Sequence, residues 1–197
     1  MMFLWRRYQT LLKAHPLRVN MATSGTVMLC ADAAAQRIES EGSGESVVHD
    51  HFRSTTMVTW NTFVFAPCFY YWFGFLDRCF PGTAVRNVAL KVLVNQLLIT
   101  VPINSAFLGY SVSVDALLRS AAGGHSWDGA AARSEVLQRC TEDLGEIFQR
   151  SACIWTPVNA ANFMFVPQHL RVLPTILTSC AWNTYLSLTA HHETTSA

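Results

Sequence analysis

Charge is distributed unevenly along this chain. Residues 19–31 carry no Lys, Arg, Asp or Glu, and their apolar pattern continues past Asp32 to Gln36. Longer uncharged runs follow at 55–76 and 92–114. Another occupies 151–170, and beyond Arg171 the chain stays uncharged from 172 to 190. About 20 apolar residues suffice for a helix to cross a bilayer. The runs at 55–76 and 92–114 therefore predict full spans, and 19–36 predicts a weaker one, rich in Ala, Thr, Ser and Gly. The last region predicts either two short spans turning near Val166–Arg171 or one span followed by a helix partly in the interface. Pro157, Pro167 and Pro174 punctuate it, each removing a backbone donor. The pattern predicts an all-α fold: an integral membrane helical bundle of four transmembrane helices, with a fifth if the last region turns back.

The connecting segments read differently. Residues 37–53 are charged and contain Gly-Ser-Gly, which predicts a loop. Residues 77–91 contain the turn signal Pro81-Gly82. Residues 115–150 are the longest link, and near their end Val136, Leu137, Leu144, Ile147 and Phe148 recur at helical spacing among charges. That spacing predicts an amphipathic helix at the membrane surface. Three parts result: a basic amphipathic N-terminal segment, 1–18; a transmembrane bundle, 19–190; and a polar C-terminal tail, 191–197.

The N-terminal segment has basic residues and no acid before Asp32. Leu4, Tyr8, Leu11 and Leu12 share a helical face, and Arg6 and Lys13 lie opposite. No long apolar core with a small-residue cleavage site follows, so it is not a secretory signal. Two readings stay open and are compatible: a mitochondrial address, or an anchor helix lying on anionic lipid.

Composition agrees with a membrane protein. Charged residues are 14% and hydrophobic residues 51%, against roughly 25% charged in a typical soluble domain. A net charge of +1 provides no global basic field, so no direct nucleic-acid partner is expected. The expected partners are the lipid bilayer, a second copy of the chain, and a matrix or membrane protein contacted through residues 115–150. The six cysteines form no CxxC pair. They read as buried free thiols, with a disulfide between distant loops as the alternative.

The candidate chemistry lies in polar residues placed inside apolar runs, where they are costly and normally face protein or water. Asp32 and Gln36 are one helical turn apart and can share a partner. Asp32 reads either as a pore-lining or proton-sensing carboxylate or as a structural anchor paired with an Arg or with backbone amides near the membrane edge. Asn95, Pro102 and Gly109 recur every seven residues and share a predicted face. Asn159 and Asn162 form a one-turn pair, and Thr175, Ser179, Asn183 and Ser187 form a ladder. Such groups either bond between helices or line a water-filled path. The bundle-interior candidates are Asp32, Gln36, Asn95, Gln96, Asn159, Asn162, Arg171 and Asn183. Gly25, Pro67, Pro102, Gly109, Pro157 and Pro167 are candidates for close packing or kinks. Asp50 and Arg53 predict a helix-start pair. The chain has no phosphate loop, GxSxG or HExxH, and His49-Asp50-His51 is too slight for a metal site. No enzymatic activity and no cofactor are expected.

Ordered motifs over nearly the whole chain resemble the Mpv-seventeen family, which includes the twenty-two-kilodalton peroxisomal membrane protein. Tyr8, Leu12, His15-Pro16 and Thr23-Ser24-Gly25 open the series. Asp32 and Gln36 match its GD-x-x-x-Q, with Ala31 where Gly is usual, and Asp50 and Arg53 match its D-x-x-R. Ala66-Pro67, Tyr70, Trp72-Phe73 and Leu76-Asp77 resemble GP-x-x-H-x-WY-x-x-L. Lys91 with Asn95-Gln96 resembles K-x-x-x-DQ, with Asn for Asp. Trp155, Asn162-Phe163, Val166-Pro167 and Arg171 resemble W-P-x-x-Q-x-x-NF-x-x-VP-x-x-x-R, and Trp182-Asn183, Tyr185, Leu186 and Ser187 resemble WN-x-YLS. The resemblance implies a small helical protein of organelle membranes, mitochondrial inner or peroxisomal. Family members are described as channel-like and are linked to membrane potential, reactive oxygen species and mitochondrial DNA upkeep. It implies no catalytic residues.

Overall fold

Proline positions decide where the helices bend. In the computed structural model, which describes residues 2–43, 49–121, 134 and 144–182, every regular element is helical. Helix α1 spans Met2–Ala14 and α2 spans Pro16–Ser43. Pro16 has no N–H to offer the Leu12 carbonyl, so the chain bends there. The bend is sharp enough for the Thr23 hydroxyl to donate to the Tyr8 oxygen at 3.4 Å. A straight helix would hold positions 15 residues apart by about 22 Å.

Several boundaries differ from the sequence expectation, among them the start of α5 at Val85, inside the expected 77–91 loop. Helix α2 continues through 37–43, taken above as loop, because residues such as Arg37, Ile38 and Glu39 are adequate helix formers. Asp32 therefore lies well inside a long helix rather than near the end of a short one. Helix α3 (His51–Trp60) passes through a π-turn at Asn61–Phe65 into α4 (Ala66–Cys79). Pro67 cannot donate to the Phe63 carbonyl, and the widened turn just before it accommodates the ring.

Helices α5 (Val85–Leu98) and α6 (Thr100–Ala121) divide the expected third span. The division falls at Ile99, because Pro102 leaves the Leu98 carbonyl without its usual donor. Val85–Leu118 is nevertheless a helical run of 34 residues, long and apolar enough to cross a membrane, and among the described residues it is the one that meets both tests. Helix α7 (Leu144–Phe165) runs through Pro157 without a break. The chain then turns at Pro167 and a short 3-10 segment, Gln168–Leu170, into helix α8 at 172–182. Residues 135–143 of the expected surface helix, Asn183 and the rest of the final ladder, and the 191–197 tail lie outside the described residues.

The described chain divides into two compact units, one drawn from Met1–Trp72 with Gln168–Ala197 and the other from Phe73–Pro167. In the first, α1 and the α3–π-turn segment pack on α2, and α1 meets Gln168–Leu170. In the second, α5 packs against α6 and α7.

Both units bury polar side chains beside an apolar core and turn leucines outward. Helix α5 buries Lys91, Asn95 and Gln96 and exposes Leu93, Leu97 and Leu98. Helix α2 buries Asn20, Ser24, Asp32 and Gln36 and exposes Leu29 and Ile38. Helix α7 buries Ser151, Asn159 and Asn162 and exposes Phe165, and α8 buries Thr175 and Ser179 and exposes Leu177. Charged and amide side chains are seldom fully buried in soluble domains. A bundle with polar groups inside and leucines outside matches an apolar solvent, in which polar groups must be satisfied internally. The described cysteines follow the same rule. Cys30, Cys79 and Cys153 are exposed on outward faces rather than buried as expected; Cys68 is half-buried and Cys180 buried, and all five are free thiols.

Candidate functional site

In the first unit the charges gather where α2 meets the start of α3. Asp50 caps α3, its Oδ1 accepting the Arg53 backbone N–H at 3.0 Å. Gln36 fastens that cap to α2: its Oε1 accepts the Asp50 N–H at 2.7 Å, and its Nε2 donates to Asp32 Oδ2 at 2.9 Å. The Ser54 hydroxyl also donates to Asp32 Oδ2, at 2.5 Å, and lies 2.9 Å from His49 Nε2. Arg53 closes the cluster. Its Nε meets Asp32 Oδ1 at 3.0 Å, and its two Nη groups grip Glu39 at 2.7 and 3.2 Å. Asp32 is thus held by three side chains and is almost completely buried. The Asp50–Arg53 pair forms through the cap.

The second unit has its own charge centre, at the α4–α5 turn. The Lys91 ammonium donates to Asp77 Oδ1 at 2.6 Å and to the Gly82 carbonyl at 3.1 Å. It also lies 5.6 Å from the centre of the Phe163 ring, which meets Phe73 edge-on at 5.4 Å. Gly82 makes the turn with a φ of 84°, a left-handed conformation that suits glycine. Asn87 Nδ2 ties α5 to the Pro81 carbonyl at 2.6 Å. Lys91 is 1% exposed, so the ring face and two oxygens replace its water.

Between these centres and the far helix ends lie polar groups of another kind. On α2, Asn20 and Ser24 are one turn apart and fully buried. Neither amide atom of Asn20, nor the Ser24 hydroxyl, has a hydrogen-bond partner among the described residues. In the second unit the same holds for Gln96 Nε2, Ser151 Oγ and Asn159 Oδ1. Buried polar atoms are normally satisfied by protein or ordered water. Buried polar groups of this kind are the ones that ordered water satisfies.

The remaining sequence candidates fall as follows. Asn95, Asn162 and Arg171 are buried, and Gln96 Oε1 accepts the Thr100 hydroxyl at 3.4 Å. Thr175 and Ser179 donate to the carbonyls four residues back, both at 2.9 Å. Asn95, Pro102 and Gly109 do not share a face: Asn95 is buried and Pro102 exposed, because the break at Ile99 shifts the helical phase. Gly25 sits against Thr62, where an added Cβ would collide with the hydroxyl. Around Gly109 no atom of the described residues lies within 4 Å of such a Cβ. Among the described residues no group of three or more His, Cys, Asp or Glu could hold a metal ion.

Sequence reasoning missed Lys91–Asp77 as a pair, and Asn20 and Ser24 as interior groups. A signal existed for each. Lys91 and Asp77 flank the Pro81-Gly82 turn, and Asn20, Ser24, Asp32 and Gln36 fall on one four-residue register.

Comparison with known proteins identifies relatives. The Mpv17 / PMP22 family profile matches residues 129–187. The mitochondrial inner membrane protein Mpv17 of Homo sapiens is 31% identical over 191 residues, covering 96% of this chain and 99% of its own. The Mus musculus protein of the same name is 29% identical with the same coverage. PXMP2/4 family protein 2 of Dictyostelium discoideum is 29% identical, covering 93% of this chain and 89% of its own. No solved structure matches the chain.

Proposed function

The chain belongs to the Mpv17 / PMP22 family and to the mitochondrial inner membrane, and on that premise we propose that it is a non-enzymatic conduit for small hydrophilic solutes. In this reading α2, the α3–α4 helix, the α5–α6 pair and α7 are four spans, and the helix at 172–182 begins a fifth membrane segment. At about 1.5 Å per residue, each of the four is as long as the roughly 30 Å hydrocarbon core.

One observation carries the proposal. Asn20, Ser24, Gln96, Ser151 and Asn159 present buried polar atoms without partners among the described residues, on helices whose outer faces are apolar. A bundle selected only for packing would satisfy or remove such groups. Asp32 in the first unit and Lys91 in the second are then structural groups rather than lining.

The second reading is a non-conducting assembly protein, with residues 115–150 contacting a matrix or membrane partner. The pairing of Asp32 favours it, since three side chains already hold that buried acid. Recording from full-length protein in planar bilayers separates the two. The conduit reading expects unitary currents in the wild type, reduced several-fold by Asn20→Leu with Ser24→Ala. Silent membranes containing demonstrably folded protein would leave the assembly reading.

A further inference from the structure

Helix α1 leaves a large apolar and basic face uncovered. Its inner face packs on α2 through buried Leu12 and through Tyr8, which also stacks on Trp5 at 5.7 Å. Its other side exposes Met2, Phe3 and Leu4, each more than 70%, and Leu11. Arg6, Arg7, Thr10 and Lys13 stand exposed beside them. Phe3, Arg6, Arg7 and Thr10 line an open recess.

The bend at His15-Pro16 sets the placement of this face. The Thr23–Tyr8 bond shows α1 turned across α2 rather than extending it. Helix α1 also meets Gln168–Leu170, the short 3-10 stretch that leads into α8. Irregular backbone in a membrane bundle lies at or near the headgroups, because facing hydrocarbon it would be unsatisfied. Helix α1 therefore lies across one end of the first unit at headgroup depth.

We propose that α1 is a binding site for anionic phospholipid: Arg6 and Arg7 hold the headgroup phosphate, and Phe3, Leu4 and Leu11 enter the upper acyl region. Charge selects this occupant. Arg6, Arg7, Lys13 and Arg18 are unopposed by any acid before Asp32. A second copy docking α1 on α1 would set these cations against one another. A lipid surface supplies both a negative layer and an apolar layer, in the order the side chains require. The site is separate from the polar interiors, and its failure would leave the conduit reading unaffected.

The test uses purified full-length protein titrated with cardiolipin, phosphatidylglycerol or phosphatidylcholine, with bound lipid counted by native mass spectrometry. Wild type should bind the two anionic lipids more tightly than phosphatidylcholine. Arg6→Gln with Arg7→Gln should weaken anionic binding roughly thirtyfold, as expected for two cations near a charged lipid surface, and leave phosphatidylcholine unchanged. Arg6→Lys with Arg7→Lys should keep most of the affinity. Phe3→Ala with Leu11→Ala should weaken all three lipids. Equal binding of anionic lipid by wild type and the Gln variant would overturn the proposal. So would wild-type binding that ignores headgroup charge, or displacement of the lipid by inorganic phosphate or an acidic peptide.

Discussion

The two charge centres solve one problem in opposite ways. Each ties a helix to the next one along the chain: Asp32 on α2 to Arg53 on α3, and Asp77 on α4 to Lys91 on α5. In the first the load is distributed. Asp32 has Arg53, Ser54 and Gln36, and Arg53 has Glu39 as well. Its guanidinium keeps some exposure, with the side chain at 27%. In the second, a lysine that is 1% exposed depends on one carboxylate, one carbonyl and one ring. The difference implies that the first centre tolerates loss of a member and the second does not.

Lys91→Ala is the harshest way to break that contrast. Removing one partner of a fully buried pair costs about 3–5 kcal/mol, and about 3 kcal/mol is expected here because Asp77 keeps 20% exposure. Thermal unfolding in detergent should show it, and Lys91→Met with Asp77→Leu should recover most of the loss. Asp32→Asn should cost less, about 1–2 kcal/mol, since Ser54 and Gln36 keep hydrogen-bonding partners and Arg53 keeps Glu39. If Asp32→Asn proved as damaging as Lys91→Ala, the distributed picture would fail.

A finer comparison contrasts two glycines. Gly25→Ala places a methyl group on the Thr62 hydroxyl and should cost about 1–2 kcal/mol by overpacking. Adding Thr62→Ala should return most of it. Gly109→Ala meets open space and should stabilise α6 by up to about 1 kcal/mol through helix propensity. Equal responses at the two sites would show that α2 does not pack as closely on the α3–α4 helix as the structure has it.

Legibility in the sequence followed local contrast. An acid such as Asp32 inside an uncharged run stands out, and Gln36 and Asp50–Arg53 stand at helical spacings from their partners, so that centre could be seen in outline. Glu39 and Ser54 could not, because their roles depend on α2 continuing through a stretch whose charge resembled a loop. Lys91 was hidden for the opposite reason. It precedes an apolar run and reads as a loop cation, and only the early start of α5 at Val85 carries it inside. The spacing of Asn95, Pro102 and Gly109 misled because a single helical phase was extended through a proline. The helical class and the membrane setting were plain because they rest on sums over many residues rather than on any one boundary.

The central claim is that both polar interiors are hydrated while the leucine faces meet lipid. Water-edited solid-state NMR of the native protein in bilayers tests it most directly, by timing magnetisation transfer from water to assigned side chains. The side-chain amides of Asn20 and Asn159 should receive water magnetisation as quickly as exposed polar groups, and Leu29 and Leu97 should receive it slowly. Equally slow transfer to Asn20, Asn159 and the leucines would mean a dry interior, and would contradict the conduit.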